Sequence, residues 1–268
     1  MSSSFSTTKT QGIRPKKSLG QNFLTDRNIV KKIVKTADIN KNDAVLEIGP
    51  GTGVLTRELA FVAKKVVAIE KDERLAGLLI KENIKNVEVV IGDVLKQMPD
   101  MGKKYKIVAN IPYYLTSFLI RKTLELKKPP EEIVLLIQKE VAQRICAKPG
   151  EMNLLALAVN YYAKPEIKGF VSKNCFWPRP KVDSAIIRIT PFKREKNDLF
   201  FALARAGFSH PRKQLANNLS FGFKIKKERV EEILQKNGIN SKARAQELSI
   251  DDWLRLSSYF SKENMVKE

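Results

Sequence analysis

The sequence predicts an α/β fold with a mostly parallel sheet, followed by a small all-helical C-terminal domain. Five short apolar runs recur along the first half of the chain, with helix-like segments between them. A glycine-rich loop follows the first run, and apolar residues repeat with a helical period of about 3.6 beyond residue 198. Strands that alternate with helices form βαβ units, in which the strands run parallel.

The predicted elements of the first part follow in order. A helix is expected over 26–34, with Asp26 as its N-cap because an aspartate accepts hydrogen bonds from the first free amides. A second helix, over 54–60, follows the glycine-rich loop. The five apolar runs are predicted strands, over 44–48, 66–69, 87–91, 105–109 and 133–137. Two more strands, near 170–171 and over 184–189, flank a proline-rich segment and are expected to form a hairpin that ends the sheet.

The character of the chain changes around residues 191–197, which we interpret as a charged linker. After the linker, Leu199, Phe200, Leu203 and Ala206 fall on one helical face, and Gly207 is the expected helix end. Further helices are predicted over 227–236 and 250–259. We therefore expect three parts: a flexible basic arm at 1–15, a large domain at 16–192 and a helical domain at 198–268.

Composition narrows the function classes. The chain has 268 residues, a formal net charge of +20, one histidine and two cysteines. Such a positive surplus attracts polyanions, and nucleic acid is favoured over a membrane surface because no amphipathic basic helix with large apolar residues is evident. Histidine-based catalysis and a metal site are not expected, and no apolar run approaches the roughly 20 residues that span a bilayer. A cytoplasmic protein is the expectation.

Glycines and carboxylates follow successive predicted strands. Glu47-Ile-Gly-Pro-Gly-Thr-Gly53 lies after the first strand, where glycines let the backbone approach a ligand at a helix N-terminus. Its third glycine comes one position too early for the dinucleotide fingerprint. Glu70 ends the second strand and Asp93 follows the third. Carboxylates in this register line one crevice and suit the ribose and base of a nucleoside.

Asn110-Ile-Pro-Tyr113 follows the fourth predicted strand. The Asn110 amide and a nearby main-chain carbonyl are acceptors for an exocyclic amino group. Pro112 fixes the turn and removes a competing N–H donor, and Tyr113 offers a face on which a planar ring stacks. Taken alone, the segment also fits a strand-ending turn whose tyrosine fills the core.

Together these motifs resemble class I S-adenosylmethionine-dependent methyltransferases that act on an exocyclic amine. Three further segments resemble the ribosomal RNA adenine N6,N6-dimethyltransferase family, in its small-subunit or kasugamycin-resistance type. They are Lys17-Ser-Leu-Gly-Gln-Asn-Phe-Leu24, Gln138-Lys-Glu-Val-Ala-Gln-Arg144 and Phe176-Trp-Pro-Arg-Pro-Lys-Val-Asp-Ser184. The similarity runs from about residue 16 to 218, and the segment 208–215 departs from the more basic run common in the family.

The resemblance implies a fold, a cofactor and roles for particular residues. The fold is a Rossmann-like methyltransferase domain, and the cofactor is S-adenosyl-L-methionine, with S-adenosyl-L-homocysteine as product. Asn110 is implied at the junction of cofactor and target base, and Tyr113 beneath that base. The implied cofactor-binding residues are Asn22, Leu24, Gly49, Gly51, Glu70, Asp93 and Asn110. The implied partner is small-subunit rRNA within an immature ribosomal subunit, bound by a monomer without metal or membrane.

Alternatives stay open at this point. Large-subunit rRNA methyltransferases of the antibiotic-resistance type share the Asn-x-Pro-Tyr signature. DNA or protein-glutamine N-methyltransferases carry a second proline where this chain has Ile111, and a catalytically idle ribosome-assembly factor is a further candidate. Several basic side chains are candidates for phosphate contacts: Lys16, Lys17, Arg121, Lys122, Arg179, Lys181, Arg212 and Lys213.

Overall fold

The structure is a computed structural model that describes residues 14–102 and 104–262. Most of the basic arm predicted at 1–15 lies outside the described residues. Within the described ranges, no helix is both long and apolar enough to cross a membrane.

The chain divides into two compact units. The first contains the described residues up to Ala142 together with Pro165–Pro191, and the second contains Gln143–Lys164 and the chain from Phe192 onward. The segment Gln143–Lys164 falls within the range 16–192 that the sequence assigned to the larger domain. The boundaries 16–192 and 198–268 stay a prediction.

A seven-stranded sheet forms the centre of the first unit. Its strands are β2 (Ala44–Ile48), β3 (Lys65–Glu70), β4 (Val87–Ile91), β5 (Lys106–Asn110), β6 (Glu132–Gln138), β7 (Ala163–Val171) and β9 (Ser184–Pro191). Their order across the sheet is β4-β3-β2-β5-β6-β9-β7. The five strands from β4 to β6 are parallel and β9 is antiparallel to β6, so the mostly parallel α/β sheet predicted from the sequence is confirmed.

Helix α1 (Arg27–Thr36) precedes β2. Three helices connect parallel strands: α2 (Val54–Val62) joins β2 to β3, α3 (Glu73–Lys81) joins β3 to β4, and α4 (Thr116–Leu124) joins β5 to β6. Helix α5 (Lys139–Ile145) follows β6 and crosses the boundary at residue 142. The predicted cap of α1 is confirmed, because Asp26 accepts hydrogen bonds from the amides of Asn28 at 2.8 Å and Ile29 at 3.3 Å. The runs at 107–109 and 133–137 are almost fully buried, as expected for central strands covered on both faces.

The order of the strands opens a crevice at the carboxyl ends of β2 and β5. The chain runs outward from β2 through β3 to β4, and then returns to the other side of β2 to form β5. Helices that leave neighbouring strands in opposite directions open a gap at the carboxyl ends of β2 and β5. The glycine-rich loop and the segment that begins at Asn110 both start at these strand ends, so the fold brings them together.

Two features of the end of the sheet differ from the prediction. Neighbouring β7 and β9 form the predicted terminal pair, but β7 begins at Ala163, well before residue 170. The proline-rich segment contains β8 (Phe176–Trp177), which pairs antiparallel with β1 (Phe23–Leu24) in a separate two-stranded sheet. Strands of two residues carry no periodic pattern, which is why sequence analysis missed them.

The second unit is helical. It contains α6 (Leu154–Tyr162), α7 (Asp198–Gly207), α8 (Leu215–Phe223), α9 (Lys227–Lys236) and α10 (Ile250–Lys262). The predicted helix end at Gly207 is confirmed. A side chain there would collide with Trp253, since an added Cβ would lie 2.4 Å from the indole ring. Trp253 is fully buried and stacks on Phe208 with ring centroids 5.6 Å apart, so it centres the core of this unit.

Candidate active site

A cavity of about 110 Å³, open to solvent, lies at the carboxyl ends of β2, β3 and β5. The structure brings all eight sequence-predicted site residues to its lining: Asn22, Leu24, Gly49, Gly51, Glu70, Asp93, Asn110 and Tyr113.

The glycine-rich loop shapes one wall of this cavity. Gly51 adopts a left-handed φ of 60°, and a Cβ there would lie 3.2 Å from the Phe23 ring. Gly53 caps the N-terminus of α2 with φ 75°, and its added Cβ would lie 2.9 Å from Leu79. Glycine is therefore required at both positions for conformation and for space, and the loop presents bare backbone to the cavity.

Glu70 is held by two main-chain donors. Its Oε2 accepts from the Gly51 amide at 3.1 Å and its Oε1 from the Asp72 amide at 2.9 Å. Burial raises the pKa of Glu70, while these amide donors act in the opposite direction. Each carboxylate oxygen has a further lone pair, so an oriented Glu70 can still accept from hydroxyl groups of a ligand.

Glu47 is a site residue to which sequence analysis assigned no role. It lies in β2 at the base of the cavity and is only 1% exposed, and its Oε2 has no hydrogen-bond partner among the described residues. Burial raises its pKa to about 8; the Glu70 carboxyl adds to this shift, whereas the Thr56 hydroxyl and Arg57 oppose it. Its position at the start of the glycine-rich motif was a signal in the sequence that could have identified it as a site residue.

Asp93 follows β4 and lies near the end of β3, where it is a charged hydrogen-bond acceptor. Lys71 Nζ lies 2.9 Å from Asp93 Oδ2, and the Leu95 amide donates to Oδ1 at 2.9 Å. The Lys71 ammonium, together with the Leu95 amide, lowers the pKa of Asp93. The carboxylate therefore stays ionised near neutral pH and is suited to accept from an exocyclic amino group.

Asn110 is oriented by the N-terminal segment. Its Nδ2 donates to the main-chain carbonyl of Asn22 at 3.2 Å. Because a carbonyl oxygen only accepts, the side-chain nitrogen must face Asn22, and Oδ1 is then the atom that can accept from a ligand. The carbonyl of Ile111 precedes Pro112, which has no N–H, so both predicted acceptors lie at the end of β5.

Tyr113 joins two motifs that are far apart in sequence. Its hydroxyl lies 2.9 Å from the Ser184 hydroxyl at the start of β9. Burial raises the pKa of Tyr113, so the phenol stays neutral. The hydrogen bond fixes the ring while the side chain remains only partly buried at the cavity.

A second buried carboxylate without an assigned role anchors the N-terminal segment. Asp72 accepts from Lys16 Nζ at 3.2 Å, from Gln21 Nε2 at 3.1 Å and from the Arg74 guanidinium at 2.7 Å. Sequence analysis could have identified Asp72 only as the N-cap of α3. In the structure, it holds the segment that carries Asn22 and Leu24 against the cavity.

Three of the proposed phosphate-binding cations have internal partners. Arg121 Nε lies 2.9 Å from Glu125 Oε1 on the exposed surface of α4. Lys16 is paired with Asp72, and Lys122 Nζ donates to the carbonyls of Val94 at 3.1 Å and Leu95. These lysines therefore hold structure together, and they are weaker candidates for contacts to nucleic acid than the sequence indicated. Across residues 14–102 and 104–262, no cluster of three His, Cys, Asp or Glu side chains is placed to hold a metal ion.

Comparisons with known proteins agree with one another. A family model described as ribosomal RNA adenine dimethylase matches residues 12–262. Proteins named ribosomal RNA small subunit methyltransferase A are similar over nearly their whole length. The one from Alkaliphilus metalliredigens is 43% identical, covering 90% of this chain and 90% of the relative. The one from Streptococcus thermophilus is 42% identical, covering 92% of this chain and 92% of the relative. The one from Dehalococcoides mccartyi is 40% identical, covering 91% of this chain and 88% of the relative.

Two solved structures share the architecture of the chain. A dimethyladenosine transferase from Plasmodium falciparum has a TM-score of 0.81 at 30% identity, covering 90% of this chain and 98% of its own. The 23S rRNA methyltransferase ErmE has a TM-score of 0.73 at 30% identity, covering 89% of this chain and 99% of its own. These matches confirm the class I methyltransferase fold and the resemblance stated from the motifs. The chain belongs to the ribosomal RNA adenine dimethylase family.

Proposed function

We propose that this chain transfers methyl groups from S-adenosyl-L-methionine to N6 of two adjacent adenines near the 3′ end of small-subunit rRNA. The product is N6,N6-dimethyladenosine, and the reaction contributes to small-subunit assembly. The observation that carries this proposal is the oriented Asn110 side chain, whose Oδ1 is the available acceptor in a cavity also lined by Glu70, Asp93 and Tyr113.

The chemistry of the cavity fits the cofactor. S-adenosyl-L-methionine supplies a methyl group made electrophilic by its sulfonium centre. Gly49 and Gly51 expose backbone for the methionine portion, and Glu70 is oriented to accept from the ribose hydroxyls. Asp93 is ionised and can accept from the amino group of the cofactor's adenine. The buried Glu47 carboxyl, whose Oε2 has no hydrogen-bond partner among the described residues, would ionise beside a positively charged ligand, because an opposite charge favours the charged form.

Asn110 has the central role in methyl transfer. The N6 lone pair of adenine is delocalised into the ring, so N6 is a poor nucleophile. Hydrogen bonds from N6 to Asn110 Oδ1 and to the Ile111 carbonyl would localise that lone pair and direct it at the methyl group. As the N–C bond forms, the methyl C–S bond of the cofactor would break and leave S-adenosyl-L-homocysteine. The amine would become acidic in this step, and its proton would pass to solvent. Positioning and electrostatics therefore supply most of the rate, and no histidine base is required.

The target adenine must leave its helix to reach this site. Unstacking a base costs a few kcal/mol, least for a base that is already unpaired. Stacking on the fixed Tyr113 ring returns roughly 1–3 kcal/mol. A site that takes the monomethylated base as well is needed for the second transfer.

The choice of the small subunit rests on the relatives. Those at 40–43% identity are named as small-subunit enzymes, whereas the 23S rRNA methyltransferase is 30% identical. We further propose that a monomer acts in the cytoplasm on an immature subunit. The large-subunit activity and the idle assembly factor remain outcomes that the experiment distinguishes.

Methyl transfer from labelled S-adenosyl-L-methionine to small subunits that lack the modification tests the proposal. The expected product is N6,N6-dimethyladenosine at two adjacent positions, identified by mass after nuclease digestion. Transfer to large-subunit RNA alone would assign the chain to the other substrate. Cofactor binding without transfer to either RNA would favour an assembly factor.

A further inference from the structure

We propose that Tyr114, Phe118 and Arg121 form a docking stripe for the single-stranded RNA that flanks the target adenine. This inference rests on the proposed function. It adds Tyr114 and Phe118, which have no role in the sequence motifs, to Arg121, a candidate phosphate contact from the sequence. The proposed partner is the unpaired nucleotides next to the base that enters the cavity.

The three side chains share one exposed face. Tyr114 lies in the short 3-10 turn before α4, and Phe118 and Arg121 follow four and seven residues later. Residues at this spacing are neighbours on a helical surface, with Cβ atoms of i,i+4 pairs about 5–6 Å apart. Tyr114 is 60% exposed and Phe118 56% exposed, and the Arg121 side chain is 67% exposed.

The stripe begins at the mouth of the cavity. Tyr114 lines the cavity beside Tyr113. Its ring also packs against the N-terminal segment, because a Cβ on Gly20 would lie 3.4 Å from it. Tyr114 is therefore held at the entrance, and Phe118 and Arg121 continue outward along α4. A strand whose target base stacks on Tyr113 passes this surface with the bases next to the target.

The chemistry of the stripe fits unpaired RNA. Exposed aromatic rings accept any base by stacking, and neighbouring cations bind the phosphates. Arg121 Nε donates to Glu125 Oε1 at 2.9 Å, which braces the guanidinium on the helix surface. This bond uses Nε, and the two terminal nitrogens of the guanidinium carry further N–H donors that can bind phosphate. The net charge of +20 attracts a nucleic-acid strand over long range. Aromatic and arginine side chains also anchor protein interfaces, so a protein partner is the rival reading.

The variant Phe118→Ala tests the docking stripe without changing a residue that lines the cavity. We expect the KM for small subunits to rise at least about fivefold, because stacking on one ring corresponds to ~1 kcal/mol or more. The kcat and the Kd of S-adenosyl-L-methionine should not change. Phe118→Trp, which keeps a ring, should restore the KM. Phe61→Ala is the matched control, since Phe61 is 78% exposed on α2 and does not line the cavity.

A binding measurement tests the identity of the partner. With the exposed Trp177 replaced by Phe in both proteins, the tryptophan fluorescence of Phe118→Trp should be quenched by a single-stranded RNA oligonucleotide, whereas that of Phe61→Trp should not. An unchanged KM for Phe118→Ala, or no selective quenching, would overturn the docking stripe. A raised KM combined with no quenching by RNA would assign the surface to a protein. An inactive wild-type chain would refute the proposed function instead, so the two failures are distinct.

Discussion

The side-chain amide of Gln21 donates a hydrogen bond to the Asp72 carboxylate, with Nε2 and Oδ2 3.1 Å apart. Lys16 and Arg74 converge on the same carboxylate, and the Asp72 amide in turn donates to Glu70 Oε1. A single buried aspartate thus joins the N-terminal segment to the strand end that carries Glu70. The segment that contains Asn22 and Leu24 therefore depends on Asp72 for its position.

Asp72→Asn should weaken cofactor binding without removing a cofactor contact. The neutral amide loses its ion pairs with Lys16 and Arg74, and hydrogen bonds to a charged group contribute about 1.5–3 kcal/mol. Isothermal titration should show the Kd of S-adenosyl-L-methionine raised about tenfold or more. Glu125→Gln, which removes an exposed ion pair with Arg121, is the control. An unchanged Kd would show that the N-terminal segment does not need this anchor.

Glu47 should make the stability of the cofactor-free chain depend on pH. Burial raises its pKa from 4.5 to about 8 in the folded state. Unfolding then releases a proton between these values, so this residue's contribution is complete below pH 4.5 and is lost as the pH rises to about 8. Relative to Glu47→Gln, the wild type should lose on the order of a few kcal/mol of unfolding free energy between pH 5 and 8.

Urea unfolding at several pH values measures this difference. Glu88→Gln is the control, because Glu88, on β4, is an exposed carboxylate that pairs with Lys65. Its unfolding free energy should follow the wild type at every pH. Parallel curves for Glu47→Gln and wild type would show that Glu47 does not retain its proton in the folded chain.

Asn110→Ala should reduce kcat at least about 100-fold, because it removes an acceptor that acts on the reacting nitrogen. The Kd of S-adenosyl-L-methionine should rise by a much smaller factor, because the other implied cofactor-binding residues are unchanged. Single-turnover methylation and isothermal titration measure the two quantities. Asn174→Ala replaces an exposed asparagine that does not line the cavity and should behave as wild type. Near-normal turnover of Asn110→Ala would exclude the proposed activation of N6.

Two substitutions of Tyr113 distinguish stacking by its ring from hydrogen bonding by its hydroxyl. Tyr113→Phe keeps the ring but leaves the buried Ser184 without this partner, so stability should fall by about 1 kcal/mol while turnover stays within a few-fold. Tyr113→Ala should raise the KM for RNA roughly 5- to 150-fold, which corresponds to 1–3 kcal/mol of stacking. Steady-state kinetics and thermal unfolding distinguish the two. Equal kinetic effects of both variants would mean that the hydroxyl, and not the ring, acts on the substrate.

The motifs of this chain identify the family and the cavity because their chemistry is local. Asn110, Glu70 and Asp93 each follow an apolar run, and parallel strands place such residues at one edge whatever the details of packing. The glycines at 49 and 51 occur where the backbone takes left-handed angles. The α/β fold class and the convergence of Glu70, Asp93 and Asn110 at one edge of the sheet were therefore predictable from the order of residues. Asn22 and Leu24 were identified only through the family resemblance.

Contacts between distant segments were decided only by the tertiary structure. Nothing local marks Asp72 as the anchor of residues 16–21, or Ser184 as the partner of Tyr113, because each pair meets only when the sheet has formed. The two-residue pairing of β1 with β8 is too short to leave a pattern. The raised pKa of Glu47 arises from burial within β2, which depends on every layer packed around it. Sequence patterns record what a residue's neighbours along the chain require, whereas burial and long-range partners exist only in the folded chain.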